Sequence, residues 1–580
     1  MSTPKPIIYQ LLPRLFTNYC ETPVVNGTLE QNGSGKLNDI TPRVLDAIKD
    51  LGATHVWYTG VIEHSHDADY TSYGIPRDNP HVVKGHAGSP YAISDYYDID
   101  PDLAVDVPHR MAEFEALVCR THDAGMKVII DFVPNHVARE YRSDAAPKGV
   151  EDFGAHDDRE MFFSRNNNFY YITRQQFAPH IDLGHGAGAY VEFPAKASGN
   201  DCFTAFPGVC DWYDTVKLNY GVDYGDGSRH FDPVPDTWLK MLNILRYWAS
   251  KGVDGFRCDM VHMVPLEFWH WALPQVRANY PDIIFIAEIY DMSLYRPFIE
   301  YGGFDYLYDK VNLYDTLRAI ETQNHSAARL TGCWQAVEGI GGRMLNFLEN
   351  HDEQRFASPF YAGDPWRVLP SLVVSTMINT GPMMVYFGQE LGEPGADAEG
   401  YSGFDGRTTI FDYWSVASVR RWLDKGKCDG RISPSESRLR ELYRRILRLA
   451  NAEKAFSEGG FYDLMYVNLD HDGINPHRHF VFIRHTEDEL VLAAVNFGDG
   501  DDTLTINIPL HAFIAMDMPQ GVSRDAIELI SGRKGELTFT STSPVRVKVG
   551  AHGAALWKIR RSDIMPERMT LKKKKSSKKQ

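Results

Sequence analysis

The stretch DTWLKMLNILRYWASKGVDGFRCDMVHMV, residues 236–264, holds two different periods. Residues 236–252 carry apolar side chains at helical spacing. Residues 254–264 alternate instead: Phe256, Cys258, Met260 and His262 fall on one side, Gly255, Arg257, Asp259 and Val261 on the other. Alternation of this kind is the pattern of a strand. One of its faces sets an arginine beside an aspartate, and burying such a pair is costly unless the charges are matched and used.

The same units recur on both sides of this stretch. Short apolar runs stand at IIYQLLP (7–13), THVWYTGVI (54–62), KVIIDFVPNH (127–136), DIIFIAEIY (282–290), FDYLYDKV (304–311), MLNFLENHD (344–352) and MMVYFGQE (383–390), with helical pattern between successive members. Together with 254–264 they make eight strands. Repeated βα units with buried, β-branched strands imply a parallel sheet, and eight of them imply an α/β fold closed as a (β/α)8 TIM barrel. An open nucleotide-binding sheet is disfavoured, because the first strand is not followed by GxGxxG and no GxxxxGK[ST] loop occurs.

One gap breaks the rhythm. Residues 137–225 follow the third strand and are rich in Gly, Asn, Asp and aromatics. A structureless loop of that length would be unusual, so the segment reads as a small inserted domain on the face where barrel active sites lie. After the helix ESRLRELYRRILRLANAEKAF (436–456) the period changes to two, which reads as an antiparallel β-sandwich over 457–560. The expected organisation is barrel over 1–136 and 226–456, insert over 137–225, sandwich over 457–560, and a basic, disordered tail over 561–580.

The formal net charge is −17, a poor balance for general nucleic-acid binding, which needs cationic surface. The lysine run LKKKKSSKKQ (571–580) is the exception. Seven scattered cysteines without a CxxC pair fit a reducing compartment, although Cys202 and Cys210 are near enough in sequence to bridge. No apolar run is long enough to span a membrane, and the N-terminus lacks a signal-peptide pattern. The expectation is a cytoplasmic protein, periplasmic or secreted if a leader was removed.

Several strands end in polar side chains that a barrel would aim at one pocket. The third gives Asp131, Asn135 and His136, the fourth Arg257 and Asp259, the fifth Glu288, and the seventh His351 and Asp352. Each alone reads as a turn former or helix cap. Clustered acids split their pKa values, so that one stays charged while another holds its proton. That is the equipment for glycosidic cleavage, in which one carboxylate attacks and one acid protonates the leaving oxygen.

Four segments, DFVPNH (131–136), GFRCDMVH (255–262), IAEIY (286–290) and FLENHD (347–352), stand in the order found in the α-amylase family of retaining glycoside hydrolases, which the chain resembles over about residues 6–560. The resemblance implies Asp259 as nucleophile, held ionised by Arg257, Glu288 as general acid/base, and Asp352 as a third acid that grips sugar hydroxyls. It implies that His136 and His351 hydrogen-bond the sugar, that His262 reaches the leaving-group side, and that Tyr91, in SPYAISDYYDIDP (89–101), stacks on it. No organic cofactor is implied. A calcium ion is, through Asn135 and oxygens of the insert, and calcium takes six to eight oxygens. Lys217 in VKLNY (216–220) departs from the acidic residue common there, and lysine also occurs in relatives acting on short or cyclic maltodextrins.

The implied function is cleavage of α-glucosidic bonds, α-1,4 first, in starch, glycogen or maltooligosaccharides. Transglycosylation, sucrose or trehalose chemistry, and non-catalytic glycan binding on the same fold are the alternatives; the presence of Asp259, Glu288 and Asp352 favours an enzyme. A metal-dependent hydrolase built on His64 and His66 of EHSHDADY (63–70) is disfavoured, because no further histidine–aspartate set at the other strand ends completes it.

Overall fold

The computed structural model describes residues 4–428 and 430–565. Eight parallel strands close into a barrel: β1 (Ile7–Leu11), β2 (His55–Tyr58), β3 (Lys127–Phe132), β4 (Gly255–Cys258), β5 (Ile284–Ala287), β6 (Tyr306–Tyr308), β7 (Met344–Phe347) and β8 (Met383–Tyr386). Each pairs with its neighbours in chain order, and β1 pairs with both β2 and β8. All but Lys127, Ile284 and Tyr306, the first residues of three strands, are buried, because the interior and the helical ring cover both faces. This is the α/β barrel expected from the apolar runs.

The helices follow local rules. Pro42–Leu51 opens with Thr41 accepting a hydrogen bond from Val44 N–H and closes at Gly52, whose φ of 113° is open to glycine at little cost. Asp236–Ser250 buries Trp238, Met241, Leu242, Leu245 and Trp248 against the barrel. Pro434–Ala452 begins with a capping box between Ser433 and Glu436.

Register sets the heights of the functional side chains. Asp131 of β3 lies level with Arg257 of β4, and Cys258 lies level with Ala287 of β5. Asp259 and Glu288 are therefore the first residues past neighbouring strand ends. The alternation of residues 254–264 stops sooner than its pattern suggests. Met260 adopts a left-handed conformation (φ 42°), and Val261–Met263 is a 3-10 turn, so His262 is not on the strand. A non-glycine residue held in that region stores local strain.

Between β3 and Asp236–Ser250, His136–Ala138 pairs with Thr215–Lys217, and Tyr171–Ile172 pairs with Ala195–Lys196. A second small core of Ile172, Phe177, Tyr190, Ala195, Ala205 and Tyr213 forms here, and Val82 from the loop after β2 joins it. Beyond residue 459 a seven-stranded antiparallel sheet is faced by the pair Asp502–Ile506 and Val545–Val549. Residues 561–565, expected in the basic tail, belong instead to this sheet region: Ile564–Met565 pairs with Val522 and Ser523. The lysine run at 571–580 lies outside the described residues. Among the described residues no helix is long and apolar enough to cross a membrane.

Candidate active site

A pocket of about 310 Å³ opens over the C-terminal ends of the strands. Asp259, Glu288, Asp352, Tyr91 and His136 all line it, so the barrel brings these five sequence-derived candidates together. Arg257 lies beneath them, 1% exposed. Its Nη1 is 2.8 Å from Asp259 Oδ1 and 3.5 Å from Asp131 Oδ1, and its Nη2 is 2.6 Å from Glu288 Oε1. Its Nε donates to the Tyr308 hydroxyl at 3.3 Å. Burial pulls the guanidinium pKa down, but Glu288 above all, with Tyr91, Tyr308 and Asp259, carries it well above its ordinary value. The cost of a buried arginine is thus met by matched charge, which answers the question posed by its alternating strand.

The carboxyls differ. Glu288 accepts the Tyr290 hydroxyl on Oε1 at 2.6 Å and Met260 N–H on Oε2 at 3.0 Å. Burial would raise its pKa, but Arg257 and these donors hold it below the ordinary range. Asp259 is pushed well above its ordinary range by burial and by the charge of Glu288 beside it, with Arg257 opposing. The reason is geometric: more donors reach Glu288 than Asp259. Asp352 is half open to the pocket, with 42% of its side-chain surface exposed, yet enclosure by the walls and the charge of Glu288 raise it to about 7.

A directed chain of hydrogen bonds organises the other side. Gln10 Nε2 donates to His351 Nδ1 at 2.8 Å, which leaves the proton on His351 Nε2. That nitrogen lies 2.6 Å from the Tyr91 hydroxyl and 3.1 Å from Asp352 Oδ2. Tyr91 in turn donates to Asp131 Oδ1 at 3.3 Å. Asp131 also accepts Trp57 Nε1–H at 3.0 Å, and burial raises it to about 6 against the pull of Arg257. Burial and Arg257 lower His351 to about 3, and burial with Lys217 and Lys84 lowers His136 to about 3, so both rings are neutral near pH 7. The Tyr91 ring stacks on His351 with centroids 5.2 Å apart. His262 stands apart from the pocket lining, its ring edge-on to Tyr290 at 6.4 Å.

Asn135 does not present a calcium ligand. Its Oδ1 accepts a hydrogen bond from the Lys217 ammonium, which also lies 2.6 Å from Asp201 Oδ1 and donates to Met263 O at 2.9 Å. Lys217 is 2% exposed. A cation is already built into this oxygen set as a side chain, and a divalent ion on the same oxygens would meet its charge at contact distance. The residues present therefore do not fit calcium there.

The segment EHSHDADY does find carboxylates, though not at other strand ends. His64 Nδ1 lies 3.0 Å from Asp100 Oδ2, and a ring nitrogen of His66 approaches Asp100 and Asp102, all buried. Burial would lower His66, but Asp102, Asp100 and Asp78 raise it, and the group lies away from the pocket lining. The DPD triplet at 100–102 was the sequence signal for this contact.

Trp212, Asp214, Lys84, Tyr290 and Phe411 also line the pocket and were missed in the sequence. Lys84 and Asp214 pair at 2.9 Å, and Trp212 packs 5.2 Å from the His136 ring. Tyr290 closes the run IAEIY, where only the glutamate was singled out; the other four come from loops without a period, so only their aromatic and charged character was available as a signal.

Residues 10–179 and 234–410, more than half of the chain, match the family model described as the α-amylase catalytic domain. An α-amylase of Streptomyces lividans is 24% identical over 471 residues, covering 73% of this chain and 46% of its own length. The chain thus spans about half of that relative. An α-glucosidase of Pediococcus pentosaceus is 23% identical over 475 residues, covering 74% of this chain and 73% of its own. Among solved structures, a noncanonic maltogenic α-amylase of Thermotoga neapolitana superposes with a TM-score of 0.60 at 19% identity, covering 96% of this chain and 99% of its own.

Proposed function

This chain belongs to the α-amylase family, and from that premise we propose that it is a retaining glycosidase that cleaves α-1,4-glucosidic bonds in starch, glycogen or maltooligosaccharides. One observation carries the reading: Asp259, Glu288 and Asp352 line one pocket, with Arg257 bridging the first two. In the proposed reaction Asp259 attacks the anomeric carbon while Glu288 gives its proton to the leaving oxygen. The glycosyl–enzyme ester is then opened by water, from which Glu288 takes a proton. Asp352, raised to about 7, can donate to or accept from a ring hydroxyl. The neutral His136 on the pocket wall is suited to the same hydroxyls, and Tyr91, with His351 stacked on it, to packing against the ring. No step passes through a metal ion. The relatives named α-amylase and α-glucosidase support a glucan substrate.

The test is product analysis by chromatography after incubation with soluble starch, a maltooligosaccharide series, cyclodextrin, pullulan, sucrose and trehalose, with Glu288→Gln in parallel. Shorter glucans from the wild type, and a rate lowered on the order of 10²–10⁴-fold in Glu288→Gln, are expected. Longer products would assign transfer in place of hydrolysis. A fully active Glu288→Gln would remove the site.

A further inference from the structure

Asp100 and Asp102 stand on the 3-10 turn Pro101–Leu103 and its cap, in the long loop after β2, and neither is exposed at all. Among the described residues no lysine or arginine forms an ion pair with either carboxylate. Their donors are neutral. The Tyr70 and Tyr413 hydroxyls give one bond each to Asp102, both at 2.7 Å, and Asp102 N–H gives one to Asp100 Oδ1 at 3.0 Å. Asp100 Oδ2 has no hydrogen-bond partner. His64 Nδ1 is 3.0 Å from it but directs its proton at Ile62 O, and Arg14 donates to the other ring nitrogen of His64. Two buried carboxylates without a cation in contact are costly.

His66 supplies the second observation. It is 5% exposed, and one of its ring nitrogens, one oxygen of Asp100 and one of Asp102 all lie within 4.8 Å of one another. Its Nδ1 is enclosed without a hydrogen-bond partner. A proton on that nitrogen would have no acceptor, and a bare lone pair there would have no donor. Neither state of the ring is satisfied by the protein alone. A cation held among the three side chains satisfies the ring and both carboxylates together.

We propose that His66, Asp100 and Asp102 form a structural site for a divalent transition-metal ion of the zinc class. The donor set decides the class. Calcium and magnesium take oxygen ligands, whereas imidazole with carboxylates suits zinc. Three protein donors leave one of zinc's four positions to water. The tyrosine hydroxyls on Asp102 are the outer hydrogen bonds that a ligating carboxylate needs. The ion brings the two positive charges that the two carboxylates lack. It is remote from the chemistry, because none of the three residues lines the active-site pocket. His66 and Asp100 stand at the two ends of a segment whose middle carries Lys84, Ser89 and Tyr91, all in the pocket wall. The ion therefore clasps the base of that wall.

Equilibrium dialysis of the chelator-stripped full chain against micromolar zinc tests this, with the metal counted by mass spectrometry. About one zinc per wild-type chain is expected. Losing a ligand costs at least as much as losing an outer partner, so His66→Gln and Asp100→Asn should each weaken binding by at least about tenfold. A wild-type chain that retains no zinc would overturn the proposal, as would full affinity in both variants, which would place the ion elsewhere. Calcium held as tightly as zinc and lost in the same variants would overturn the class of metal. X-ray absorption at the zinc edge of the wild type covers variants that do not fold. Scattering from a single imidazole among oxygen ligands is expected, and none or two would overturn the donor set. Zinc should also raise the thermal midpoint of the wild type by about 2–5 °C. The same rise in His66→Gln would overturn the structural role.

Discussion

Arg257 and Arg484 are equally buried, each 1% exposed, and their settings are opposite. Arg257 stands beneath the pocket within 3.5 Å of three carboxylates. Arg484 lies in the seam between the barrel and the antiparallel sheet and, among the described residues, donates to carbonyls alone: Ala455 O at 3.0 Å, Ile378 O at 3.1 Å and Gly459 O at 2.5 Å. Ile378 and Gly459 follow the last turns of two helices, whose ends carry unpaired carbonyls and partial negative charge. Charge matching raises the pKa of the first arginine, and burial lowers that of the second. Burial of an arginine is therefore no mark of a reactive site; the mark is the company of acids that would otherwise repel one another.

Three substitutions press on this difference. Arg257→Lys has the largest expected effect. A point charge cannot bridge Asp259 and Glu288 at once, and kcat/KM should fall on the order of 10²-fold or more, measured on a maltooligosaccharide. Retained activity would mean that the carboxyls do not need a bridging fork. Arg484→Met comes next and should leave kcat/KM unchanged while lowering stability by about 1–3 kcal/mol, read as a lower denaturant midpoint, because three carbonyls lose their donor. Lost activity at equal folding would show that the seam reaches the site.

The smallest effect is a slope. Asp309 follows the end of β6 as Glu288 follows β5, but its oxygens receive only Leu313 N–H and Asn312 Nδ2, each at 3.3 Å. Burial without a cation raises it from 3.8 to about 7. Between those values the folded chain binds more protons than the unfolded one, so this residue's contribution to stability falls as pH rises. Asp309→Asn should match wild type near pH 4 and exceed it near pH 8 in thermal midpoint. Parallel curves for the two proteins would show that Asp309 is ionised in the fold.

The barrel was legible because its strands are apolar runs covered on both faces, and the pocket because Asp131, Arg257, Asp259, Glu288, His351 and Asp352 stand at or just past strand ends, where topology alone converges them. Three things were not legible. The turn at Met260 ended the alternation before His262, since a left-handed residue without glycine leaves no signature in a pattern of polarity. The partner of Asn135 came from 82 positions away, and an ammonium and a calcium ion ask for the same oxygens. The donors on Glu288, the Tyr290 hydroxyl and Met260 N–H, depend on local hydrogen-bond directions, which spacing does not encode.

The roof of the pocket has a consequence for exchanging parts between proteins of this fold. Val82 and Lys84 stand on the loop after β2, yet Val82 completes the small core of the insert and Lys84 pairs with Asp214 on the insert's side. The two loops leave different strands but behave as one replaceable module. Grafting the insert alone onto another barrel would strand an apolar core without its keystone and a buried carboxylate without its ammonium. Transplanted together, they carry both halves of each contact.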